Sequence, residues 1–226
     1  MMSKQTFQAV LWDMDGTLVD TEPYWLKSEQ EFANRHNATW ELSDAEQFIG
    51  NSLYDTADIL RKKFNLQQHS DQEIIDELTS GVIDQIQEEL PFRPGALELL
   101  LELRQNQIPT ALVTMSMTEM AKKVVDKIPF KAFDLVLGGD QVQFGKPHPE
   151  PYSTAAEILG AEPESCIALE DSNTGLTSAE TAGTVAIGIP HIAEIPSQPG
   201  RILLDTLAGV NMSRLQQIYE ENRVQA

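Results

Sequence analysis

Short apolar segments alternate with amphipathic helical patterns along most of the chain. The apolar segments are rich in β-branched and aromatic residues, and they predict strands at residues 7–12, 110–113, 135–137, 166–169 and 185–189. Helical patterns lie between most of them, at residues 95–106, 118–127, 151–159 and 174–182. Strand–helix–strand repetition with continuously apolar strands indicates a parallel sheet covered by helices on both faces. The predicted fold class is therefore α/β, a Rossmann-like doubly wound sheet.

One long stretch, residues 20–90, has helical patterns and no convincing strand. Ser70 and Glu73 form a capping-box signature. Apolar residues then follow every four positions, at Ile74, Leu78, Val82, Ile86 and Leu90. About seventy residues are too many for one crossover in a compact domain. We therefore expect a helical insertion at 20–90 in a core formed by residues 1–19 and 91–226; the alternative is that these helices are ordinary crossovers packed on the sheet.

Composition and charge narrow the possible partners. The 226 residues include 16 Lys and Arg against 35 Asp and Glu, a formal charge of −19, which disfavours binding to nucleic acid or to an anionic membrane surface. No apolar run approaches the length of a membrane span, and the N-terminus has no signal-peptide pattern. A single cysteine, Cys166, fits a reducing compartment. We expect a cytoplasmic monomer acting on a small molecule.

Polar clusters follow four of the predicted strands, directly or in the loop beyond. They are 13–17 (Asp-Met-Asp-Gly-Thr), 114–116 (Thr-Met-Ser), 145–147 (Gly-Lys-Pro) and 170–172 (Glu-Asp-Ser). Ligands of open α/β sheets bind outside the carboxyl ends of the strands, so we expect these clusters to converge there. A site rich in carboxylate oxygens with one lysine favours a hard divalent cation, and Mg²⁺ fits best.

The sequence Asp13-Met14-Asp15-Gly16-Thr17-Leu18 resembles the nucleophile motif of the haloacid dehalogenase-like superfamily. The other motifs of that family correspond, in the right order, to Thr114, Lys146 and Glu170-Asp171. The insertion at 20–90 is similar to the small helical cap that one subtype carries between the first motif and the second strand. The resemblance covers nearly the whole chain.

This resemblance implies a role for each residue, and the chemistry of a phosphate ester is consistent with it. Asp13 attacks phosphorus, Asp15 serves as general acid and then as general base, Thr114 binds a phosphoryl oxygen and Lys146 offsets the negative charge. The metal set is Asp13, Asp171, the carbonyl oxygen of Asp15, and Glu170 acting through a coordinated water. Each residue also has a structural alternative: the aspartates can cap helices, Thr114 can cap a strand end, and Lys146 can be a solvated loop lysine.

The chain is most similar to β-phosphoglucomutase and 2-deoxyglucose-6-phosphatase members of the superfamily. The presence of Asp15 favours phosphoryl transfer over dehalogenation, because a halide leaving group needs no proton. The mutase has a histidine ten residues after the acid/base Asp and an arginine in the first part of the cap that holds the far phosphate. This chain has Trp25 and, by an estimated alignment, Leu53 at those positions. The predicted function is therefore Mg²⁺-dependent hydrolysis of a small phosphorylated metabolite, a sugar phosphate in the first instance. The alternatives are a phosphomutase and a catalytically silent phospho-ligand-binding protein.

Substrate contacts are the least specified part of the prediction. Tyr24, Trp25, Asn51 and Tyr54 are candidate cap residues for a sugar, although aromatic residues at helical spacing also form cores. Hexose, deoxyhexose, sugar-alcohol and phosphoglycolate-like esters all remain open. His148 is expected to pack in its loop, and residues 61–63 (Arg-Lys-Lys) are expected to form a solvated helix face.

Overall fold

The computed structural model describes residues 6–41 and 52–223, which contain a six-stranded parallel sheet. The strands are β1 (Ala9–Trp12), β2 (Thr110–Val113), β3 (Leu135–Leu137), β4 (Cys166–Glu170), β5 (Val185–Gly188) and β6 (Ile202–Leu203). Their spatial order is β3-β2-β1-β4-β5-β6, and every neighbouring pair is parallel. The predicted fold class is confirmed. The two-residue edge strand β6 was not predicted, because so short a segment carries no periodicity.

The two faces of the sheet contribute to two separate apolar clusters. In β1, Val10 and Trp12 belong to one cluster, while Ala9 and Leu11 belong to the other. This alternation follows from the two-residue period of a strand, and it explains why all four positions are apolar.

Five helices cover the sheet. Helices α4 (Ala96–Gln105), α5 (Thr118–Asp126) and α8 (Met212–Asn222) contribute to the cluster that contains Trp12. Helices α6 (Glu150–Ile158) and α7 (Asn173–Ala182) contribute to the cluster on the opposite face. The sheet is therefore doubly wound. In the part of the chain that the structure describes, no helix is both long enough and apolar enough to cross a bilayer.

In the part of the chain between β1 and β2 that the structure describes, the helices are α1 (Glu22–Arg35), α2 (Leu53–Lys63) and α3 (Asp71–Glu88). They bury a small core of their own, to which Phe32, Leu60, Ile74 and Leu78 belong. The Ser70 capping box is present at the start of α3. Helix α3 ends at Glu88, before Leu90, because Pro91 disfavours a helical conformation of the residue that precedes it.

The second half of α3 packs against the core domain. Val82 and Ile86 belong to the cluster that contains Trp12, so one helix joins the small helical core to the sheet. The division of the chain at residues 19/20 and 90/91 stays a prediction.

The chain leaves β1 toward β2 and β3 on one side, and β4, β5 and β6 lie on the other side. The strand order therefore reverses between β1 and β4, and such a reversal opens a crevice beyond the carboxyl ends of the strands. Asp13 follows β1 and Glu170 ends β4, so both carboxylates lie at the carboxyl ends of the two strands that flank the crevice.

Candidate functional site

The crevice brings together residues from all four predicted polar clusters. Asp13, Asp15, Thr114, Lys146 and Asp171 line one cavity, and Glu170 lies directly beneath it. The sheet accounts for most of this convergence, because β1, β2 and β4 are neighbours that end at the same edge. Lys146 reaches the site from the loop between β3 and α6.

Lys146 connects two buried carboxylates. Its Nζ lies 2.7 Å from Asp13 Oδ1 and 2.6 Å from Glu170 Oε1, and it donates to the carbonyl oxygen of Val113 at 3.0 Å. The Lys146 side chain is only 5% exposed, which excludes the solvated-loop interpretation of this residue. Three acceptors satisfy the three N–H bonds of the ammonium group, so its position is fixed.

Two hydroxyl groups donate hydrogen bonds to Glu170. Tyr152, on α6, donates from its hydroxyl to Glu170 Oε1 at 2.6 Å, and Ser172 donates to Oε2 at 3.3 Å. Burial, followed by the negative charge of Glu170, raises the pKa of Tyr152 well above its usual value, so the phenol stays a donor. Gly175 packs against this carboxylate so closely that a Cβ there would lie 1.9 Å from Oε1. The Glu170 carboxylate is therefore buried and closely packed, with hydrogen bonds that fix its position.

The cluster contains more negative charge than Lys146 neutralises. Burial is the main cause that raises the pKa of Asp13 to about 7, with a further increase from Glu170. Burial and the charges of Asp13 and Glu170 also raise the pKa of Asp171 well above its usual value. Burial would lower the pKa of Lys146, but the attraction of Asp13 and Glu170 outweighs it and the pKa is raised. Additional positive charge would stabilise this site.

A divalent cation fits this donor set. One carboxylate oxygen from each of Asp13, Glu170 and Asp171 lies within 4.8 Å of the other two. Asp13 Oδ2 is buried and has no hydrogen-bond partner among the described residues. Three hard oxygen donors with excess negative charge suit Mg²⁺. The Asp15 side chain instead accepts hydrogen bonds from neutral donors, and its carbonyl contact to the metal stays a prediction.

Asp15 is surrounded by neutral hydrogen-bond donors. Its Oδ1 accepts from the Thr21 hydroxyl and from the indole N–H of Trp25, the latter at 3.3 Å. Its Oδ2 accepts from Ser116 at 2.7 Å and from Thr114 at 3.3 Å. The Thr114 hydroxyl, predicted to bind a phosphoryl oxygen, thus faces Asp15 here, and its phosphoryl contact stays a prediction.

Gly16 allows the first loop to pass close to Asp171. Its φ is +88°, a left-handed conformation that other residues rarely adopt, and a Cβ there would lie 2.0 Å from Asp171 Oδ2. Any larger residue would displace the Asp171 carboxylate or the backbone of the loop.

The candidate cap residues have different locations. Trp25 lines the cavity, whereas Tyr24 donates to the carbonyl oxygen of Glu89, and Tyr54 is 48% exposed. Asn51 lies outside the described residues. His148 packs against Phe144 in its loop, and Arg61 and Lys62 pair with Asp58 on their own helix.

Sequence reasoning missed the residues that hold the two key carboxylates in place. Thr21 and Trp25 bind Asp15, and Tyr152 binds Glu170. Tyr152 had no distinctive signal, because a tyrosine on an amphipathic helix is also an ordinary core residue. Trp25, ten residues after Asp15, was predicted as a candidate cap residue for a sugar, but its hydrogen bond to Asp15 was not predicted.

The excess charge leads to a prediction about stability. Without a divalent cation, the free energy of unfolding should fall as the pH rises from about 5 to about 7, because the folded state binds the Asp13 proton more tightly than the unfolded state does. This contribution is fully present below the unfolded pKa, 3.8, and is lost as the pH passes the folded value. Asp13 alone contributes at most about 1.4 kcal/mol per pH unit to this slope. Urea unfolding in a chelator should show a shallower slope for Asp13→Asn, and equal slopes would contradict the assignment.

Comparisons with known proteins identify the family and its fold. The family model described as haloacid dehalogenase-like hydrolase matches residues 7–183. Hexitol phosphatase B of Escherichia coli K12 is 27% identical over 213 residues, which cover 91% of this chain and 93% of that protein. Validoxylamine A 7'-phosphate phosphatase of Streptomyces hygroscopicus subsp. limoneus is 30% identical and covers 88% and 94%. A β-phosphoglucomutase crystal structure from Clostridium difficile superposes with a TM-score of 0.80 over 96% of this chain and 98% of that one, at 21% identity, which shows the shared fold.

Proposed function

The chain belongs to the haloacid dehalogenase-like hydrolases, and from that premise we propose that it hydrolyses the phosphate ester of a small metabolite, a sugar phosphate in the first instance. The observation that carries this proposal is the contrast between two aspartates two residues apart. Asp13 is paired with an ammonium group and keeps one oxygen without a hydrogen-bond partner among the described residues, whereas Asp15 is surrounded by neutral donors. The first environment suits a nucleophile and the second suits a proton carrier.

The proposed reaction has two steps. In the first, an Asp13 carboxylate oxygen forms a bond to phosphorus while the ester oxygen leaves with its electron pair and takes a proton from Asp15. In the second, Asp15 removes a proton from water, whose oxygen attacks phosphorus and releases Asp13 and inorganic phosphate. One carboxyl group can serve both steps because the second reverses the proton demand of the first.

Charge neutralisation is the main task of the surrounding residues. Lys146 lies next to Asp13 and offsets the repulsion between a carboxylate and a phosphate dianion. Asp13 and Asp171, with Glu170 behind them, would hold Mg²⁺, which supplies further positive charge for the transferring phosphoryl group when it is bound. The fixed Lys146 and Glu170 keep this arrangement in place before substrate arrives.

We assign the helices between β1 and β2 the role of a cap. Trp25 of α1 and Leu53 and Thr56 of α2 line the same cavity as Lys146 and Asp171. A cap over the site limits access of bulk water and favours small substrates over macromolecules. From this location, the indole N–H of Trp25 donates a hydrogen bond to Asp15.

The mutase alternative is disfavoured by the groups that line the cap side of the cavity. The mutase holds the far phosphate with a cap arginine and has a histidine ten residues after the acid/base Asp. The residues here are Leu53 and Trp25, neither of which carries positive charge. Water is therefore the proposed acceptor in the second step. Phosphate monoesters of sugars and sugar alcohols are the first substrates to examine, because one related phosphatase is named for a hexitol and the other for validoxylamine A 7'-phosphate.

Phosphate release from a panel of sugar, sugar-alcohol and glycolate phosphates tests this proposal. Each ester is assayed with Mg²⁺ and with a chelator in place of Mg²⁺, and 4-nitrophenyl phosphate serves as a general substrate. We expect Mg²⁺-dependent release, fastest for one class of ester. If folded protein with Mg²⁺ released no phosphate from any ester, the proposal would be contradicted. If a sugar 1-phosphate were isomerised faster than it was hydrolysed, the mutase would be favoured.

The contact between Trp25 and Asp15 gives a second prediction. Trp25→Phe keeps an aromatic ring in the cavity but removes one hydrogen bond to Asp15 Oδ1. A hydrogen bond of about 0.5–1.5 kcal/mol corresponds to a decrease in kcat of about two- to tenfold. Trp40→Phe is the matched control, because the Trp40 indole N–H has no hydrogen-bond partner among the described residues. Equal kcat values for the two variants would exclude Trp25 as a positioning residue.

A further inference from the structure

Helix α1 presents two carboxylates to the cavity. Glu22 and Glu29 both line it, and they are seven residues, or about two helical turns, apart, so they lie on one face of α1 with Trp25 between them. Glu29 is only 5% exposed and Glu22 is half-buried. These two carboxylates face the same cavity as Asp13, on the side where the part of the substrate beyond its phosphate would lie.

Positive charge is scarce in this cavity. Among its described lining residues, the only basic side chains are Lys146, which is held by Asp13 and Glu170, and His191, whose Nε2 lies 3.0 Å from Asp20 Oδ1. Residues 42–51 lie outside the described part of the chain, but their sequence contains no lysine, arginine or histidine.

Three cations of α1 and α2 pair with acids that do not line the cavity. Lys27 pairs with Glu31, and Arg35 pairs with Glu77. Arg61 pairs with Asp58 and Asp71. None of these three cations lines the cavity, so the described cap side of the cavity is acidic.

From this charge arrangement we propose that Glu22 and Glu29 determine specificity, by favouring a leaving group that carries hydroxyl groups and no second anionic group. Carboxylates accept hydrogen bonds from hydroxyl groups, as in a sugar alcohol, and repel a carboxylate or a second phosphate. Phosphoglycolate-like esters and bisphosphates are thereby excluded as preferred substrates. This inference rests on the proposed phosphatase function and narrows its substrate class.

Two six-carbon esters make a matched test. Glucitol 6-phosphate and 6-phosphogluconate have the same carbon chain and differ at C1, where the first has an alcohol and the second has a carboxylate. We expect kcat/KM to be about 100-fold higher for glucitol 6-phosphate in the unmodified protein, since each cavity carboxylate contributes repulsion on the order of tenfold.

Neutral variants identify the source of the selectivity. Glu22→Gln and Glu29→Gln should each decrease the ratio of the two kcat/KM values on the order of tenfold, because glutamine keeps an acceptor oxygen and loses the charge. Glu31→Gln is the matched control: it removes the same charge from α1 at a residue that pairs with Lys27 and does not line the cavity. The control should leave the ratio unchanged.

The outcomes separate this inference from the function on which it rests. Equal kcat/KM values for the two esters, or an unchanged ratio in both Glu22→Gln and Glu29→Gln, would overturn the specificity assignment while the phosphatase activity stands. Absence of Mg²⁺-dependent phosphate release from both esters and from 4-nitrophenyl phosphate would overturn the proposed function and this inference together. Glu22 is half-buried, so its variant tests the inference even if Glu29→Gln reduces folding.

Discussion

Asp13→Asn should lower kcat by at least about 10⁴-fold, because the amide oxygen is a poor nucleophile toward phosphorus and the reaction has no substitute path of comparable rate. The substitution preserves the shape of the side chain and an acceptor for Lys146, whose Nζ lies 2.7 Å from Asp13 Oδ1. We therefore expect the fold to be retained, with the same circular dichroism spectrum. Steady-state phosphate release with Mg²⁺ measures the effect.

Two comparisons make the Asp13 result specific. Asp126→Asn makes the same chemical change at an exposed position on α5 and should leave kcat unchanged. Stability at neutral pH should not fall in Asp13→Asn, since the change removes one charge from a buried cluster in which burial and Glu170 raise the pKa of Asp13. Activity within tenfold of the unmodified protein would contradict the assignment of Asp13 as nucleophile.

Lys146→Met should destabilise the fold as well as abolish turnover. The ammonium group is buried between Asp13 and Glu170, and its removal leaves both carboxylates without their cation. Removal of one partner of a buried ion pair costs about 3–5 kcal/mol. That loss corresponds to a decrease in Tm of about 6–20 °C for a chain of this size. Differential scanning calorimetry and urea unfolding both measure it.

A control variant and a double variant show whether the loss of stability comes from the buried ion pair or from removal of any lysine. Lys131→Met removes a lysine whose side chain is 77% exposed and should change the free energy of unfolding by less than about 1 kcal/mol. The double variant Lys146→Met, Glu170→Gln should be less destabilised than the sum of the two single variants, because it removes both partners of one pair. An additive result would indicate that Lys146 and Glu170 are not coupled.

The fold was predictable because each strand is buried on both faces. The apolar residues of β1, for example, alternate between two clusters, and that requirement makes the segment continuously hydrophobic. The comparisons confirm the predicted family and the phosphatase class. The polar clusters could be predicted because charged residues stand out directly after apolar strands, as Asp13 and Asp171 do.

Contacts made by ordinary residues from distant segments could not be predicted. Tyr152 and Glu170 are eighteen residues apart, and Ser116 and Asp15 are 101 residues apart; both contacts arise only when the sheet is assembled. The orientation of the Thr114 hydroxyl toward Asp15 likewise depends on packing of the loop after β2. The residue roles and the domain boundaries stay predictions, and the experiments above address the roles.

A phosphorylated intermediate on Asp13 is the central claim, and the Asp15→Asn variant tests it most directly. With 4-nitrophenyl phosphate, the leaving group needs little protonation, so the first step should proceed while deprotonation of water in the second step is slow. Stopped-flow absorbance should then show a burst of about one equivalent of nitrophenol per protein. Mass spectrometry should find one added phosphoryl group on the peptide that contains Asp13. Linear release without a burst, or a phosphoryl group on another residue, would contradict the proposed mechanism.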